Sequence, residues 1–131
     1  MKAIYKERLL KLADVLDDFE AECANLIQTD DDYNNERVTR FDMDWFKCGT
    51  SACAAGIAGL HPWFRRRGLI WNGSGLFFKK VKYKYALSAF FGLDDEAVEY
   101  LFATEHSDYA TSRRTAKDEA NIIRYYVEEH S

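Results

Sequence analysis

The sequence lacks the features of membrane and secreted proteins. No apolar run approaches the roughly 18 to 20 residues that a membrane-spanning helix needs. Acids occur throughout the first 20 residues, where a signal peptide would have an apolar stretch. The three cysteines, Cys23, Cys48 and Cys53, are an odd number and make a poor disulfide framework. We therefore predict free, buried thiols and a cytoplasmic protein that does not act at a membrane.

Sequence signatures of common enzyme classes are also missing. The chain has no Gly-rich phosphate loop, no HExxH and no GxSxG pattern, so we predict a protein that is not an enzyme and needs no cofactor. One alternative is a thiol- or metal-dependent enzyme at Cys48, Cys53 and His61, because thiolates and imidazole bind zinc and a cysteine nucleophile needs a histidine base. The Ala and Gly residues around Cys53 favour a buried, inert thiol instead.

The length and composition predict one domain, residues 1–131, with a packed core. A chain of 131 residues buries roughly two-thirds of its unfolded surface, and 47% of these residues are apolar. The first helix is the clearest element, because apolar residues recur every three or four positions at Tyr5, Leu9, Leu12, Leu16, Phe19, Cys23 and Leu26. This apolar face predicts a contact within the core, and the alternative is the contact of a homodimer.

The remaining elements are predicted from small residues, glycines and caps. The small residues of Ala52–Gly59 predict a central buried helix that neighbouring backbones approach closely, with Thr50 or Ser51 as its N-cap. Asn72-Gly73, between β-prone residues, predicts a hairpin. Further helices are expected over Lys84–Phe91, after Asp94-Asp95 and after Thr115. The predicted fold is mainly α (α+β), a compact bundle of about four to six helices with one small β-hairpin.

Charge is unevenly distributed along the chain. Residues 61–85 contain seven Lys or Arg and no Asp or Glu, whereas the segments on both sides are acidic and the net charge is −4. In KKVKYKY (79–85) the lysines at 80, 82 and 84 alternate with apolar residues, so on a strand they would line one face. We predict a binding site for an anionic partner, formed by Arg65, Arg66, Arg67, Trp71, Lys79, Lys80, Lys82 and Lys84. Cationic groups neutralise phosphates and exposed aromatic rings stack on bases. The alternative is a basic face that pairs with the acidic flanks.

Two stretches resemble a family of small proteins encoded by bacteriophages and prophages. They are FDMDWFKCGTSACAAGIAGLHPWFRRRGL (41–69) and ALSAFFGLDDEAVEYLF (86–102). Members share the CGTxACAxG core, the HPWF turn, the FFGL segment, an opening RLLKLAD-type helix and a final capped helix. The family has no assigned activity, so the resemblance implies a phage context in a bacterial host cell and no catalytic residues.

Three functional hypotheses follow from the sequence. The first is a non-enzymatic phage accessory protein that binds a bacterial protein, and that inhibits or modulates a nucleic-acid-handling or defence component. The second is a module that binds nucleic acid or a nucleotide directly through residues 61–85. The third is the thiol or metal enzyme at Cys48, Cys53 and His61. The sequence leaves open whether the protein is a monomer or a homodimer.

Overall fold

Helices account for most of the described part of the chain. The computed structural model describes residues 1–23, 26, 38, 40–41, 51–72, 75–102 and 114–131. Within these residues the helices are α1 Ala3–Asp17, α2 Phe19–Cys23, α3 Ala54–Leu60, α4 Pro62–Arg65, α5 Lys84–Phe91, α6 Asp95–Phe102 and α7 Ala116–His130. The strands are β1 Arg40–Phe41, β2 Ser51–Ala52, β3 Leu69–Trp71, β4 Leu76–Phe78 and β5 Val81–Lys82. The predicted fold class, mainly α with a small antiparallel sheet, is confirmed.

The apolar face of α1 packs inside the chain, chiefly against α7. Leu9, Leu12 and Leu16 are buried as predicted, but the helix is interrupted at Asp18, so the predicted apolar face spans two helices, α1 and α2. This break and the short α4 bring the number of described helices to seven, above the predicted range. Because the apolar face is covered within the chain, it is not a surface for a dimer.

The small-residue helix α3 is buried along its whole length, as predicted. Its N-cap is Cys53, whose Sγ accepts a hydrogen bond from the N–H of Gly56 at 3.5 Å. The predicted cap was therefore wrong at Ser51, which lies in β2 and pairs in parallel with β1, and Thr50 lies outside the described residues. The sequence does not predict a cysteine N-cap, because the side-chain oxygens of Ser, Thr, Asp and Asn dominate that position.

The predicted hairpin is confirmed and continues into a third strand. β3 and β4 are antiparallel, with Leu69 opposite Phe78 and Trp71 opposite Leu76. β5 then pairs with β4 to give the strand order β3-β4-β5. The predicted helix over Lys84–Phe91 is confirmed as α5. Because Lys84 begins that helix and β5 has only two residues, Lys80, Lys82 and Lys84 do not line one face of a single strand.

The last helices begin and end at the predicted signals. Gly92 closes α5 in the left-handed conformation, with φ +67°. At the start of α7, Thr115 and Asp118 form a reciprocal capping box. In the core, the rings of Phe90 and Phe91 contact each other edge to face at 4.9 Å. Within the described residues, no helix is both long enough and apolar enough to cross a membrane.

Candidate polyanion-binding surface

The segment Lys79–Tyr85, here called the basic arm, presents its cationic groups to solvent. Lys79, Lys80, Lys82 and Lys84 are all exposed. None of these lysines forms an ion pair with an acid in the described parts of the chain. The prediction that the acidic flanks neutralise this segment is therefore not met within those residues. Within the described residues, the arm therefore carries four exposed positive charges that no acid pairs with.

The basic arm has a strained backbone at two positions. Phe78 pairs with Val81, so Lys79 and Lys80 form a two-residue turn between β4 and β5, and Lys79 has φ +56°. Tyr83 has φ +54° and ψ −127°, a backbone region that residues other than glycine rarely occupy. Each such position costs about 1 to 3 kcal/mol. Strained positions of this kind concentrate at functional sites. Here they lie at the two sharp turns of the exposed segment that carries the lysines.

Tertiary contacts hold the strained end of the arm in place. The N–H of Tyr83 donates to the carbonyl of Leu76 at 2.8 Å. The Tyr83 ring lies against Gly75, where a Cβ atom would meet the ring carbon Cζ at 3.3 Å. The side chains of Tyr83 and Tyr85 are still 39% and 59% exposed. The arm therefore offers aromatic surface beside its lysines.

The three arginines of the predicted site have different roles. Arg65 is half-buried, and its Nη1 donates to the carbonyls of Gly59 and Trp71 at 2.9 and 3.0 Å. Arg65 therefore links α3 to β3 and is already committed inside the fold. Arg66 is exposed. Arg67 is also exposed, with its guanidinium carbon 3.5 Å from the centre of the Trp63 ring.

Trp71, the aromatic residue of the predicted site, belongs to the core. Only 8% of its surface is exposed, and it pairs with Leu76 inside the sheet. A buried ring cannot stack on a base at the surface. The aromatic residues beside the lysines are Tyr83 and Tyr85, which alternate with the lysines in KKVKYKY and were not part of the predicted site.

Two cations of α1 lie at this surface, and the sequence analysis did not find them. The Nη1 of Arg8 donates to the carbonyl of Phe90 at 2.7 Å. The pKa of Arg8 is lowered first by burial and also by the charge of Arg67. The Nζ of Lys11 lies 6.0 Å from the Trp63 ring, on which Arg67 also stacks. The spacing of Arg8 and Lys11 puts them on one helical face, but only the packing of α1 brings that face to Trp63.

The strand register connects these cations to the basic arm. Leu69 is opposite Phe78, so Gly68 and Lys79 are neighbours at the end of the β3–β4 ladder. A Cβ atom on Gly68 would lie 3.5 Å from the Phe78 ring. Arg67, which precedes Gly68, therefore lies close in the chain to the position beside Lys79, the first lysine of the arm. We define the basic surface as Lys11, Arg66, Arg67, Lys79, Lys80, Lys82 and Lys84. Arg8 borders this surface, but like Arg65 its guanidinium is committed to a backbone carbonyl inside the fold.

The geometry around Cys53 and His61 does not support thiol chemistry. Cys53 is buried, and burial raises its pKa to about 11, which leaves the thiol protonated at neutral pH. Both ring nitrogens of His61 are occupied: Nε2 contacts Glu22 Oε2 at 2.8 Å, and Nδ1 accepts from the N–H of Trp63 at 3.2 Å. His61 therefore caps α4 and ties it to α2. Cys48 lies outside the described residues.

A metal centre is likewise not assembled in the part of the chain that the structure describes. Those residues contain no group of three or more His, Cys, Asp or Glu side chains that could hold a metal ion. Cys23 is buried, and its pKa is raised to about 12 by burial and by the charges of Glu22 and Asp18. The basic surface is thus the candidate site with the clearest chemical basis.

Comparisons of the chain with models of protein families, with curated proteins and with solved structures found no match. The resemblance to small phage proteins stays a prediction from the sequence.

Proposed function

We propose that the protein is a non-enzymatic binding protein whose basic surface binds the phosphate backbone of a nucleic acid, with single strands preferred. The observation that carries this proposal is the basic arm, where four exposed lysines without ion-pair partners among the described residues lie beside two exposed tyrosine rings. Lysines neutralise phosphates, and tyrosine rings stack on unpaired bases.

The shape of the surface favours a polymer over a free nucleotide. Small-molecule ligands are usually enclosed in a cleft that buries most of their surface. The lysines of the arm instead lie on an exposed turn and a two-residue strand. Cations spread over a protruding surface match a chain of regularly spaced phosphates better than one compact anion.

The broader hypothesis concerns the biological partner. A phage accessory protein that binds a bacterial nucleic-acid-handling or defence protein would act in the bacterial cytoplasm, and its support is the sequence resemblance. Binding of nucleic acid by the basic surface is consistent with that hypothesis, because this protein and a bacterial nucleic-acid-handling protein would then bind the same nucleic acid. A bacterial protein partner therefore remains part of the proposal.

Fluorescence anisotropy with a labelled oligothymidine of about 20 nucleotides tests the nucleic-acid proposal. The affinity is measured between about 50 and 200 mM salt, because the slope of log K against log salt counts released counterions. The triple variant Lys80→Gln, Lys82→Gln, Lys84→Gln removes three contacts. We expect its slope to be smaller by about 2, at roughly 0.7 per phosphate for a single strand. A labelled duplex of the same sequence length tests the preference for single strands.

A control variant with the same change in net charge separates site binding from general electrostatics. Lys2→Gln, Lys6→Gln, Lys117→Gln removes three charges outside the basic surface, and all three lysines are exposed. The control should bind with nearly the wild-type slope. Equal losses in both variants, or an unchanged slope in the arm variant, would overturn the proposal.

A further inference from the structure

A cleft between α6 and α7 combines acidic and aromatic side chains. Its volume is about 380 Å³, within the range of about 300 to 1,000 Å³ that is usual for small-molecule sites. Three carboxylates and three tyrosines line it: Asp94, Glu96, Glu129, Tyr100, Tyr125 and Tyr126. None of these residues belongs to the basic surface, so the inference drawn from this cleft is independent of the proposed function.

The carboxylates of the cleft have no cationic partner within the described residues. Neither Lys nor Arg is among the residues that line the cleft, and none of the three acids occurs in a described ion pair. Asp94 uses Oδ1 to accept the N–H of Ala97 at the start of α6. Three like charges around one cleft repel each other, and a bound cation would relieve that repulsion.

The aromatic rings give the cleft walls that suit an organic cation. The rings of Tyr126 and His130 stack at 4.0 Å with an angle of 22°. The pKa of Tyr126 is raised by burial and by the charge of Asp94, so the phenol stays neutral and the carboxylate is close to it. Tyr125 is 58% exposed. The faces of tyrosine rings attract ammonium groups within about 6 Å.

The carboxyl end of α7 borders this cleft, because His130 is one of the residues that line it. The N-terminal ammonium group of Met1 donates to the carbonyl of His130 at 3.1 Å. That carbonyl is at the carboxyl end of α7, where the helix dipole is negative and favours cations. The dipole at this end of α7 therefore adds to the carboxylates in favouring a cation in the cleft.

The spacing of the acids favours an extended cation over a metal ion. In the part of the chain that the structure describes, no three acidic, His or Cys side chains come close enough to hold a metal. Asp94 and Glu96 lie at the start of α6, whereas Glu129 lies near the end of α7. A ligand with two or more positive groups on an apolar spacer would reach both sides and cover the tyrosine rings.

We propose that this cleft binds a small aliphatic polyamine, with ammonium groups against the carboxylates and methylene groups against the tyrosine rings. Such a ligand matches the charge, the volume and the aromatic lining of the cleft. The site is distinct in its residues from Arg8, Lys11 and the basic arm.

Isothermal titration calorimetry with spermidine at low salt tests the proposal. We expect saturable binding at one site, weakened at least tenfold in the variant Glu96→Gln, Glu129→Gln. The matched control is Glu99→Gln, Glu128→Gln, which changes the same net charge on the same two helices at exposed positions that do not line the cleft. The control should bind like the wild type. Equal weakening in both variants, or no saturable binding, would overturn the proposal.

A second pair of variants tests the aromatic contribution without changing charge. Tyr125→Leu removes a ring of the cleft, and Tyr85→Leu removes an equally exposed ring of the basic arm. We expect Tyr125→Leu to weaken spermidine binding several-fold and Tyr85→Leu to leave it unchanged. Titration with magnesium chloride should give much weaker binding than spermidine. Equal affinity for magnesium would contradict an organic-cation site and overturn the proposal.

Discussion

Glu119 is a carboxyl group in the interior of the protein, with none of its side chain exposed. Its Oε2 accepts from Arg114 Nη1 at 2.7 Å, while Oε1 has no hydrogen-bond partner among the residues that the structure describes. Burial raises the pKa of Glu119 to about 7, and Arg114 only partly opposes that rise. Below about pH 7 the neutral form is therefore favoured in the folded protein, whereas the unfolded chain ionises near the ordinary value of 4.5.

This difference predicts a stability that falls as pH rises. Below about pH 4.5 both states hold the proton, and between pH 4.5 and 7 the folded state alone retains it, so the free energy of unfolding decreases through that window. The whole effect is on the order of 3 kcal/mol above pH 7. Glu119→Gln should remove most of this slope and raise the thermal midpoint at pH 8, as measured by circular dichroism from pH 5 to 8.

Exposed Glu128 on the same helix provides the control for this prediction. Glu128→Gln should keep the wild-type dependence on pH, because a solvated carboxyl contributes little to it. The prediction fails if Glu119→Gln and Glu128→Gln show the same slope. The position of Glu119 next to the buried stripe of Ala120, Ile123 and Val127 was visible in the sequence, but its burial depends on Arg114 and on the packing of α7.

The contact of α3 with the sheet depends on the absence of a side chain at Gly59. A Cβ atom there would lie 2.6 Å from Leu76 Cδ1, and only 2.7 and 2.8 Å from the Cβ and backbone N of Trp71. The backbone of β3 cannot move away from such a contact without disturbing the hairpin. Gly59 thus allows a close approach of α3 to β3 and β4, and β4 leads into the basic arm.

Gly59→Ala should therefore destabilise the protein although alanine is the better helix former. Overpacking of a buried site costs about 1 to 3 kcal/mol, whereas the gain in helix propensity is about 1 kcal/mol. We expect a net loss in the free energy of unfolding by urea. Ala89→Gly, at an exposed position of α5, is the control. It measures the difference in helix propensity between alanine and glycine without a change in core packing. A more stable Gly59→Ala variant would show that α3 can shift away from β3.

The elements differ in how far their sequence predicted them. Periodicity, glycines and caps predicted α1, α3, α5, α6, α7 and the hairpin, because these signals are local. The sharp turn from β5 into α5 was not predicted, because Tyr83 occupies a backbone region that its residue type does not predict. The hydrogen bond to Leu76 and the contact with Gly75 help to hold that conformation.

The molecule as a whole separates its charges. The net charge is −4 and the sequence pI is about 5.4, yet the basic arm, Arg67 and Lys11 of α1 form a positive surface, while acids line the cleft between α6 and α7. The local field at such a surface acts on a partner more strongly than the net charge does. An acidic protein can therefore bind a polyanion.

This separation predicts that the protein is retained on immobilised heparin at neutral pH despite its negative net charge. Lys79→Gln, Lys80→Gln should lower the salt concentration of elution by on the order of 0.1 M, because counterion release scales with the number of contacts. The double variant Lys6→Gln, Lys117→Gln has the same net charge as Lys79→Gln, Lys80→Gln. It should elute at the same salt concentration as the wild type. Co-elution of all three proteins would show that the basic arm does not determine polyanion binding.

The sequence by itself determined the helical class, the hairpin, the buried thiol of Cys53 and the concentration of cations in residues 61–85, because each depends on local patterns or composition. The tertiary structure decided which cations belong together. It placed Trp71 in the core, committed Arg65 to backbone carbonyls of α3 and β3, added Lys11 from a distant helix, and placed the acids of α6 beside the tyrosines of α7. These relations come from packing between elements far apart in the chain, and no local pattern specifies which helical face meets which strand.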